Sequence, residues 1–474
     1  MAGHRRVGLL LLAWVGLVTI AGCVGPWTGS VGPRWTAMSL DPADWAEHAA
    51  NPVFGQAIGG PKAYYPCVIY DESRFSGHGT SALYKMWYGA SGGQTALAVS
   101  EDGLAWTDLG VVLPAGYHTT VKYNAAGFPG SGPDVSTMRY RAWYWDPAHL
   151  YSVNALAYAE SPDGENWTNL QPCQNGPVPI VSNGDPWWNR GSYGPCDVLI
   201  DPSASNTGTD WVFTLYYDGT TGGDEAIGLA FSADGITWTG YDENGDGKAD
   251  PVFTGTYIAG DWDHDYTSRA TILVEEDGSY AMWYSGGTGA VNHGIGYATS
   301  PDGIHWTRSG VNPVFHRDDG VTWRSDRTYC PSVVPVDGGV AMWFAGKGAD
   351  GYSIGLATLI PEVITVPVDI KPETGENTIN LGSKGVLPVA VLGSAALDVS
   401  EIDPSSVRLA EAAPLRWHTE DVNADGLPDL FFHFPVPELA LDSTSTDATL
   451  VGQTTDGTPI AGSDDVTIVP KKKP

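Results

Sequence analysis

The feature that most constrains the fold is an eight-residue pattern, Ser-x-Asp-Gly-x-x-Trp-Thr, which recurs four times along the chain. The copies begin at Ser100, Ser161, Ser232 and Ser300, at intervals of about 60 to 70 residues. Asp-Gly between two alternating runs favours a hairpin turn, because Gly accepts the positive φ that such turns require. Repetition at this period predicts one sheet unit per copy.

The composition supports a chain built from strands and turns. It has 60 Gly and 34 Pro among 474 residues, with 19 Trp and 22 Tyr, and no segment shows a long helical periodicity. Turn-forming residues together with aromatic residues are typical of β proteins. We therefore predict an all-β fold.

The two ends of the repeat region complement each other. The last unit ends near Thr358 without the turn and without a Trp-Thr strand. The N-terminal segment has Trp35-Thr36 and then Asn51-Pro52-Val53-Phe54, the sequence that also follows the fourth copy as Asn312-Pro313-Val314-Phe315. Pairing this segment with the last unit closes a ring and removes exposed sheet edges. The sequence thus predicts a five-bladed β-propeller over residues 35–360, with the repeat Trp residues packed between blades.

Residues 361–474 have a different pattern. A Pro-punctuated stretch leads into short alternating runs, such as Val386–Leu392 and Leu430–Phe434, without the eight-residue repeat. Short alternating strands of this kind predict a smaller C-terminal β-sandwich domain.

The N-terminus has the features of an export signal. Arg5-Arg6 precedes an apolar run, Val7–Ile20, that is too short to span a bilayer as a helix. The run ends in Ile-Ala-Gly-Cys23, which resembles the lipobox of bacterial lipoproteins and implies lipidation of Cys23. We therefore expect a signal peptide at 1–22, a tether at 23–34, and a lipid anchor that holds the protein to the bacterial envelope, at the cell surface or in the periplasm. The alternative is an ordinary secretory signal that contains a Cys.

Charge and cysteine content restrict the partners and the chemistry. The net charge of −31 argues against nucleic acid or anionic lipid as an electrostatic partner. We also expect the protein to be a monomer. The four cysteines beyond Cys23 permit three disulfide pairings, of which Cys173–Cys196 is the most local. Their spacing does not suggest a metal site.

Two loops share a pattern of oxygen ligands with Gly at the sixth position. Carboxylates and an amide at positions one, three, five and nine supply the hard oxygen atoms that Ca²⁺ prefers, and Gly permits the sharp bend. Position twelve is Phe in both loops, so they resemble dockerin-like calcium loops more than EF-hands. We predict structural Ca²⁺ at these loops, and the alternative is an acidic turn without an ion. The predicted ligands are Asp242, Asn244, Asp246 and Asp250 in the first loop and Asp421, Asn423, Asp425 and Asp429 in the second.

Candidate chemistry lies where the innermost strands begin, since these ends surround one mouth of the channel. The loops there are rich in Trp, Tyr, Asp and Arg, a mixture that suits a sugar, and paired carboxylates can cleave a glycosidic bond. The predicted catalytic acids are Asp197, Asp263 and Asp326, and the predicted substrate-binding residues are Trp188, Tyr193, Trp262, Arg269, Trp323 and Arg327. The alternatives are that these acids cap loops, pair with Arg, or hold a further cation, which the alternation of Asp261, Asp263 and Asp265 also suits.

The repeat from Met282-Trp-Tyr through the Asp-Gly turn to Asn312-Pro-Val-Phe resembles the arabinanase/levansucrase/invertase superfamily of five-bladed propellers. The likeness covers about 35–358 and includes glycoside hydrolase families 43 and 32 and the mannoside phosphorylases. It implies a carbohydrate ligand in the channel mouth. The Asp-Pro step that carries the family 43 base is Tyr65-Pro66 here, and the Asn-Asp-Pro-Asn motif of family 32 is absent.

The sequence therefore predicts an extracytoplasmic, glycoside-hydrolase-like protein that binds and hydrolyses an oligo- or polysaccharide. The alternative is a non-catalytic glycan-binding or scaffold lipoprotein. The crowding of Asp and Trp before the inner strands favours the first hypothesis, and the missing Asp-Pro step favours the second.

Overall fold

A computed structural model describes residues 44–114, 116–128, 138–149, 155–181, 188–200, 213–221, 223–275, 277–289, 291–336, 339–359, 363–372, 374, 377–394, 397–455 and 458–470. The side chains of Pro147 and Tyr193 are not described. The predicted signal peptide, the tether with Cys23 and the Trp35-Thr36 strand lie outside the described residues. Among the described residues, no helix is long and apolar enough to cross a membrane.

The first part of the chain forms antiparallel sheet units, numbered 1 to 5 here, each with three consecutive paired strands and one or two further strands at its outer edge. Unit 1 contains β3–β6 (Tyr64–Tyr70, Tyr84–Ala90, Gln94–Ser100, Trp106–Leu113), and unit 2 contains β7–β10 (Tyr117–Tyr123, Tyr140–Trp145, Leu156–Ser161, Thr168–Pro172). Unit 3 contains β12–β16 (Gly191–Ile200, Phe213–Thr220, Glu225–Ser232, Thr237–Gly240, Pro251–Phe253), and β11 (Gln174–Asn175) pairs with its β15. Unit 4 contains β17–β21 (Tyr266–Val274, Tyr280–Thr288, Val291–Ser300, Thr307–Arg308, Phe315–His316). Unit 5 contains β22–β24 (Arg327–Val336, Gly339–Gly348, Gly351–Leu359), to which β1 (Ala46–Glu47) and β2 (Phe54–Gly55) of the N-terminal segment are paired.

The first strands of the units lie side by side in a closed ring. β3 contacts β7, β7 contacts β12, β12 contacts β17, β17 contacts β22, and β22 contacts β3 again. A side chain at the same level of each strand forms a hydrogen bond with the backbone of the next strand. These bonds join Cys67 Sγ to Val121 N (3.3 Å), Thr120 Oγ1 to Cys196 O (3.1 Å), Asp197 Oδ2 to Ile272 N (3.0 Å), Thr271 Oγ1 to Pro331 O (2.7 Å) and Ser332 Oγ to Val68 N (2.9 Å). The predicted all-β propeller fold is confirmed.

Each Ser-x-Asp-Gly turn also attaches its unit to the preceding one. The Gly has positive φ, and its carbonyl oxygen accepts a hydrogen bond from an aromatic side chain on the second strand of the unit before it. The donors are Trp343 to Gly103 (2.9 Å), Trp87 to Gly164 (3.0 Å), Trp143 to Gly235 (2.7 Å) and Tyr216 to Gly303 (2.8 Å). The repeated turn is therefore an inter-unit contact as well as a hairpin.

The junction between units 4 and 5 lacks this contact, because unit 5 has no such turn. The Trp283 indole N–H, which would be the fifth donor, has no hydrogen-bond partner among the described residues. Trp45 of the N-terminal segment packs edge-on against Trp283, with ring centroids 6.0 Å apart. Apolar packing by the N-terminal segment thus fills the place of the missing turn.

The C-terminal part has its own core. Its strands form two four-stranded sheets, ordered β25-β33-β32-β29 and β26-β28-β31-β30, and the pair β27-β34. They are β25–β29 (Ile364–Thr365, Val368–Ile370, Thr378–Asn380, Val386–Val391, Ile402–Leu409) and β30–β34 (Arg416–Glu420, Asp429–Pro435, Asp447–Thr454, Pro459–Asp465, Thr467–Val469). Buried side chains of both sheets, including Val389, Phe432 and Leu450, form one hydrophobic cluster, as in a β-sandwich.

Helical structure in the described part consists of short 3₁₀ turns. They are Gln56–Ile58, Arg74–Gly77, Pro147–His149, Thr322–Arg324, Val399–Glu401 and Val436–Glu438.

The four described cysteines are free thiols. Cys173 lies in the core between units 2 and 3, and Cys196 lies in the core between units 3 and 4. The Cys173–Cys196 pairing that the sequence favoured is therefore wrong, because the two side chains belong to different cores.

Candidate functional site

Asp197, a predicted catalytic acid, is part of the hydrogen-bonded ring described above. Its Oδ2 accepts from Ile272 N, and its Oδ1 accepts from Val198 N at 2.8 Å and lies 2.7 Å from Lys122 Nζ. The carboxylate is buried, with both oxygens engaged in holding strands together. This environment indicates a structural role.

Asp263 is buried in an ion pair that unit 5 repeats with the charges reversed. Asp263 Oδ2 lies 2.8 Å from Arg308 Nε, on the outer strand β20, and accepts from the Tyr284 hydroxyl at 2.9 Å. In unit 5 the equivalent loop position is Arg324, whose Nε donates to Glu47, on the outer strand β1, at 3.1 Å. Because the same ion pair occurs with either order of charges, its role is to fix the loop to the outer strand. This role does not require an acid at the loop position.

Asp326 lies at the surface and is paired with Lys347, with Oδ2 and Nζ 2.9 Å apart and both side chains at least one-third exposed. Each predicted acid thus has its own cation, and no described contact links the three. The structure does not bring Asp197, Asp263 and Asp326 together as one catalytic set.

The predicted sugar-binding Trp residues share a packing role. Each lies over a pair of glycines on the second and third strands of its unit, where an added Cβ would approach the indole closer than 3 Å. The sets are Trp188 on Gly219 and Gly228, Trp262 on Gly286 and Gly296, and Trp323 on Gly346 and Gly355. Trp323 is buried, whereas Trp188 and Trp262 keep part of their surface exposed. Stacking on sugar is therefore open only to the latter two.

Of the remaining predicted residues, Arg327 is half-buried at the first position of β22. Tyr193 lies in β12, but its side chain is outside the described part of the chain. Arg269 lies in β17, and its guanidinium group contacts Tyr65 and Glu225.

Each inner strand has a residue of positive φ at its second or fourth position, where its pairing is irregular. These residues are Tyr65 (53°), His118 (56°), Gly194 (110°), Arg269 (51°) and Cys330 (52°). At this end of the ring, where the inner strands begin, Tyr65 stacks on His118 with ring centroids 4.9 Å apart and lies 5.4 Å from the Arg269 guanidinium carbon. Positive φ in non-Gly residues is uncommon and concentrates at functional sites.

Arg269 holds two buried carboxylates beneath this end of the ring. Its Nη1 lies 3.1 Å from Glu225 Oε2, and its backbone N–H donates to Asp218 Oδ1 at 2.8 Å. Burial raises the pKa of Glu225 to about 7; Arg269 opposes this shift, and the neighbouring Asp218 adds to it. Glu225 can therefore carry or release a proton near neutral pH.

Asp218 is also contacted by His118 and Cys196. His118 Nδ1 lies 3.8 Å from Asp218 Oδ2, and the Cys196 thiol donates to Asp218 Oδ1 at 2.8 Å. Three buried atoms of this cluster have no hydrogen-bond partner among the described residues, namely Asp218 Oδ2, Glu225 Oε1 and Arg269 Nε. Unsatisfied polar atoms at such burial cost about 1–3 kcal/mol each, which a ligand or water can recover.

Tyrosines form the rim above this cluster. Tyr65 stacks on Tyr117 with centroids 5.6 Å apart, and Tyr64 contacts Tyr352 at 5.3 Å. Lys62 Nζ lies 4.8 Å from the ring centroids of both Tyr64 and Tyr352. Tyr65, Tyr117 and Tyr352 remain partly exposed. We call the rim and the buried Arg269–Glu225–Asp218 set the mouth site.

Sequence reasoning missed Glu225 and Asp218. Glu225 and Asp218 flank the β13–β14 hairpin, where acidic residues are typical of solvated turns. The strand bulge at Arg269 brings the cation to them from another unit, which local pattern does not show. Tyr65-Pro66 stands where the resemblance to family 43 places a catalytic Asp-Pro, and this match pointed to the start of β3 as part of the site.

The two predicted calcium loops have the same local hydrogen bonding. Asp242 and Asp421 each accept from the backbone N–H groups of positions five and six, and Asn244 and Asn423 each accept from position five. The donor set of carboxylate and amide oxygens suits a hard cation. Within the described residues, no group of three or more His, Cys, Asp or Glu side chains is arranged to hold a metal ion. Calcium binding therefore stays a prediction.

No family model matches the chain. Two uncharacterized proteins from two strains of Mycobacterium tuberculosis are 37% identical over 94 residues, which is 18% of this chain and 29% of each relative. The chain thus covers less than a third of the length of these relatives.

Solved structures that align with the chain include glycoside hydrolases. A structure described as a complex of BT0996 and RGII is 19% identical, with a TM-score of 0.45 over 63% of this protein and 87% of that one. A thermostable family-43 glycoside hydrolase is 16% identical, with a TM-score of 0.42 over 65% and 91%. A member of the GH130 mannoside phosphorylase family, described as containing hydrolases of β-1,2 mannosidic linkages in Candida mannan, is 16% identical, with a TM-score of 0.45 over 70% and 96%. These likenesses concern the fold and assign no activity.

Proposed function

We propose that this protein binds a carbohydrate at the mouth site. The observation that carries the proposal is the ring of partly exposed tyrosines above buried, incompletely hydrogen-bonded Arg269, Glu225 and Asp218. Aromatic faces pack against the apolar face of a sugar ring, and charged groups form directed hydrogen bonds with its hydroxyls. The resemblance of the repeat to carbohydrate-active propellers supports the same ligand class.

The test is a glycan-array screen with residues 24–474 in calcium-containing buffer. We expect a set of related glycans to bind, and Arg269→Gln to weaken binding by about tenfold or more, since it removes a charged hydrogen-bond donor. Arg408→Gln is the matched control, because Arg408 lies in the C-terminal part and its Nη1 bonds to the Ser405 and Val407 carbonyls. Unchanged binding by Arg269→Gln, or no bound glycan at all, would contradict the proposal.

Hydrolysis is a second candidate function, favoured by the pKa of Glu225. A glycosidase needs one carboxyl that is protonated near neutral pH as the acid and a second carboxylate as base or nucleophile. Glu225, with its raised pKa, suits the acid, and Asp218 is the neighbouring carboxylate. In this scheme Glu225 gives its proton to the leaving oxygen as the glycosidic bond breaks, and Asp218 takes a proton from the water whose oxygen bonds to the anomeric carbon.

Product analysis on every bound glycan separates the two functions. If the protein hydrolyses its ligand, Glu225→Gln keeps binding and loses turnover by about a hundredfold or more. Asp326→Asn, at the exposed Lys347 pair, is the control that retains turnover. Binding without products establishes the non-catalytic alternative.

We also propose that the protein is exported and anchored to the membrane by lipid. The support is the sequence Arg5-Arg6, the apolar run and Cys23, which lie outside the described residues. Cys23→Ser should move the full-length protein from the membrane fraction to the soluble fraction and abolish incorporation of radiolabelled palmitate. Retention in the membrane by the variant would overturn the anchor.

A further inference from the structure

A cleft on unit 4, beside the mouth site, contains side chains that the proposed site does not use. It has a volume of about 590 Å³ and lies between the loop before β17, the β18–β19 turn and the loop after β21. Its lining includes Asp261, Trp262, His264, His293, His316 and Arg317. This volume lies within the range of small-molecule sites.

The walls of the cleft are tied together by hydrogen bonds. Asp265 Oδ1 accepts from Gly289 N at 2.9 Å, which joins the first wall to the β18–β19 turn. Arg317 N donates to His293 O at 2.8 Å, which joins the third wall to β19. A cleft held in this way is formed before a ligand arrives, so binding does not have to order it.

The apolar surface in and beside the cleft is aromatic. Trp262 packs on Tyr284 with centroids 5.8 Å apart and remains partly exposed where it lines the cleft. Tyr257 and Ile258, in the same loop, are 54% and 61% exposed, and the Tyr257 ring contacts His264. Exposed rings next to polar side chains match the two kinds of surface that a sugar presents.

The polar groups are arranged for hydrogen bonding to an uncharged ligand. His264 Nδ1 lies 3.5 Å from the Asp265 carboxylate. His316 Nδ1 accepts from the Asp318 backbone N–H at 3.2 Å, which orients the imidazole and leaves Nε2 to donate to a ligand. Arg317, 3.7 Å from Asp318, adds a donor fork. Because the described residues include no three-ligand arrangement of His, Cys, Asp or Glu, the set does not point to a metal ion.

One continuous segment connects this cleft to the mouth site. Trp262 lines the cleft, and the strand that follows carries Tyr266 and Arg269 into the mouth. We infer that the cleft is an outlying subsite that binds a second sugar unit of the same chain. The inference rests on the proposed carbohydrate binding and specifies its ligand as an oligo- or polysaccharide.

The test compares ligand lengths by calorimetry. Disaccharides to hexasaccharides derived from arabinan and from mannan, sugars of the families that the repeat resembles, are titrated into residues 24–474. We expect affinity to rise with length, and the double variant Tyr257→Ala/Arg317→Ala to lose about tenfold for the hexasaccharide while the disaccharide is unaffected. Trp417→Ala, an aromatic that is 44% exposed in the C-terminal part, is the matched control and should bind like the wild type.

The outcomes separate this inference from the proposed function. Wild-type affinity that does not depend on length, or a double variant that binds the hexasaccharide like the wild type, overturns the subsite. A double variant that loses the disaccharide equally also overturns it, because the change then acts through the mouth. If the wild type binds neither these saccharides nor any glycan of the array, the proposed function itself fails and the inference fails with it.

Discussion

At the scale of single residues, Glu225 makes stability depend on pH in a direction opposite to that of a salt-bridged surface acid. Its pKa rises from 4.5 to about 7 on folding, chiefly through burial. A carboxyl with a raised folded pKa stabilises the fold below its unfolded pKa, and that contribution is lost as pH rises through the folded value. Each pKa unit corresponds to about 1.4 kcal/mol.

We therefore expect the wild type to lose stability as the pH rises from about 4.5 to 7. Glu225→Gln, which mimics the protonated acid, should not show this loss. The measurement is the free energy of unfolding by urea at a series of pH values for wild type and variant. The difference between the two should change across this interval and be flat outside it. A constant difference throughout would show that Glu225 titrates normally.

A second residue-scale prediction concerns Asp263, which the structure places in a buried pair with Arg308. Asp263→Ala should destabilise the protein by about 3 kcal/mol, since it leaves a partly buried guanidinium unpaired. Exchanging the charges, as Asp263→Arg with Arg308→Glu, should recover part of this loss, because unit 5 already uses the reversed pair. Unfolding free energies of the single and double variants measure the recovery. A double variant no more stable than Asp263→Ala would contradict the structural role.

At the scale of elements, the repeated turn joins neighbouring units, and this function is testable at Gly303. Its φ is 75°, and an added Cβ would lie 2.7 Å from the Tyr216 hydroxyl of unit 3. Gly303→Ala should therefore cost about 2 kcal/mol or more, from backbone strain and displacement of Tyr216. Gly320→Ala is the matched control, because Gly320 also has positive φ (83°) but its added Cβ meets nothing within 4 Å. Equal melting temperatures for the two variants would exclude the inter-unit contact.

The same elements show what the sequence could predict. The all-β fold and the hairpin at each Asp-Gly follow from local alternation and from the conformational freedom of Gly, so they were readable along the chain. The location at the mouth and Arg269 were also predicted, but its buried acids were not, because Arg269 meets Glu225 and Asp218 across two units through a strand bulge. Trp262 and Trp323 were predicted as sugar contacts from their neighbours in sequence. Their packing role was not predicted, because the glycines beneath them, such as Gly286 and Gly346, lie more than twenty residues away in the chain.

At the scale of the whole molecule, the predicted calcium loops belong to two separate cores. The loop from Asp242 to Asp250 connects β15 to β16 in the propeller, and the loop from Asp421 to Asp429 connects β30 to β31 in the C-terminal part. A ligand that binds only the folded state stabilises it by about 2.7 kcal/mol at a hundred times its dissociation constant. If both loops bind Ca²⁺, each ion stabilises its own part of the chain.

Chelation should accordingly lower the melting temperature of residues 24–474, and added Ca²⁺, but not Na⁺ at equal ionic strength, should restore it. Asp246→Ala should remove the calcium response of the propeller, and Asp425→Ala that of the C-terminal part, which hydrogen exchange of the two parts can resolve separately. These acids are exposed and bond mainly to their own loop backbones, so neither change should weaken the cores themselves. A melting curve that chelator leaves unchanged means that both loops are acidic turns without an ion. A response lost in both parts with either single variant means instead that the two cores unfold together.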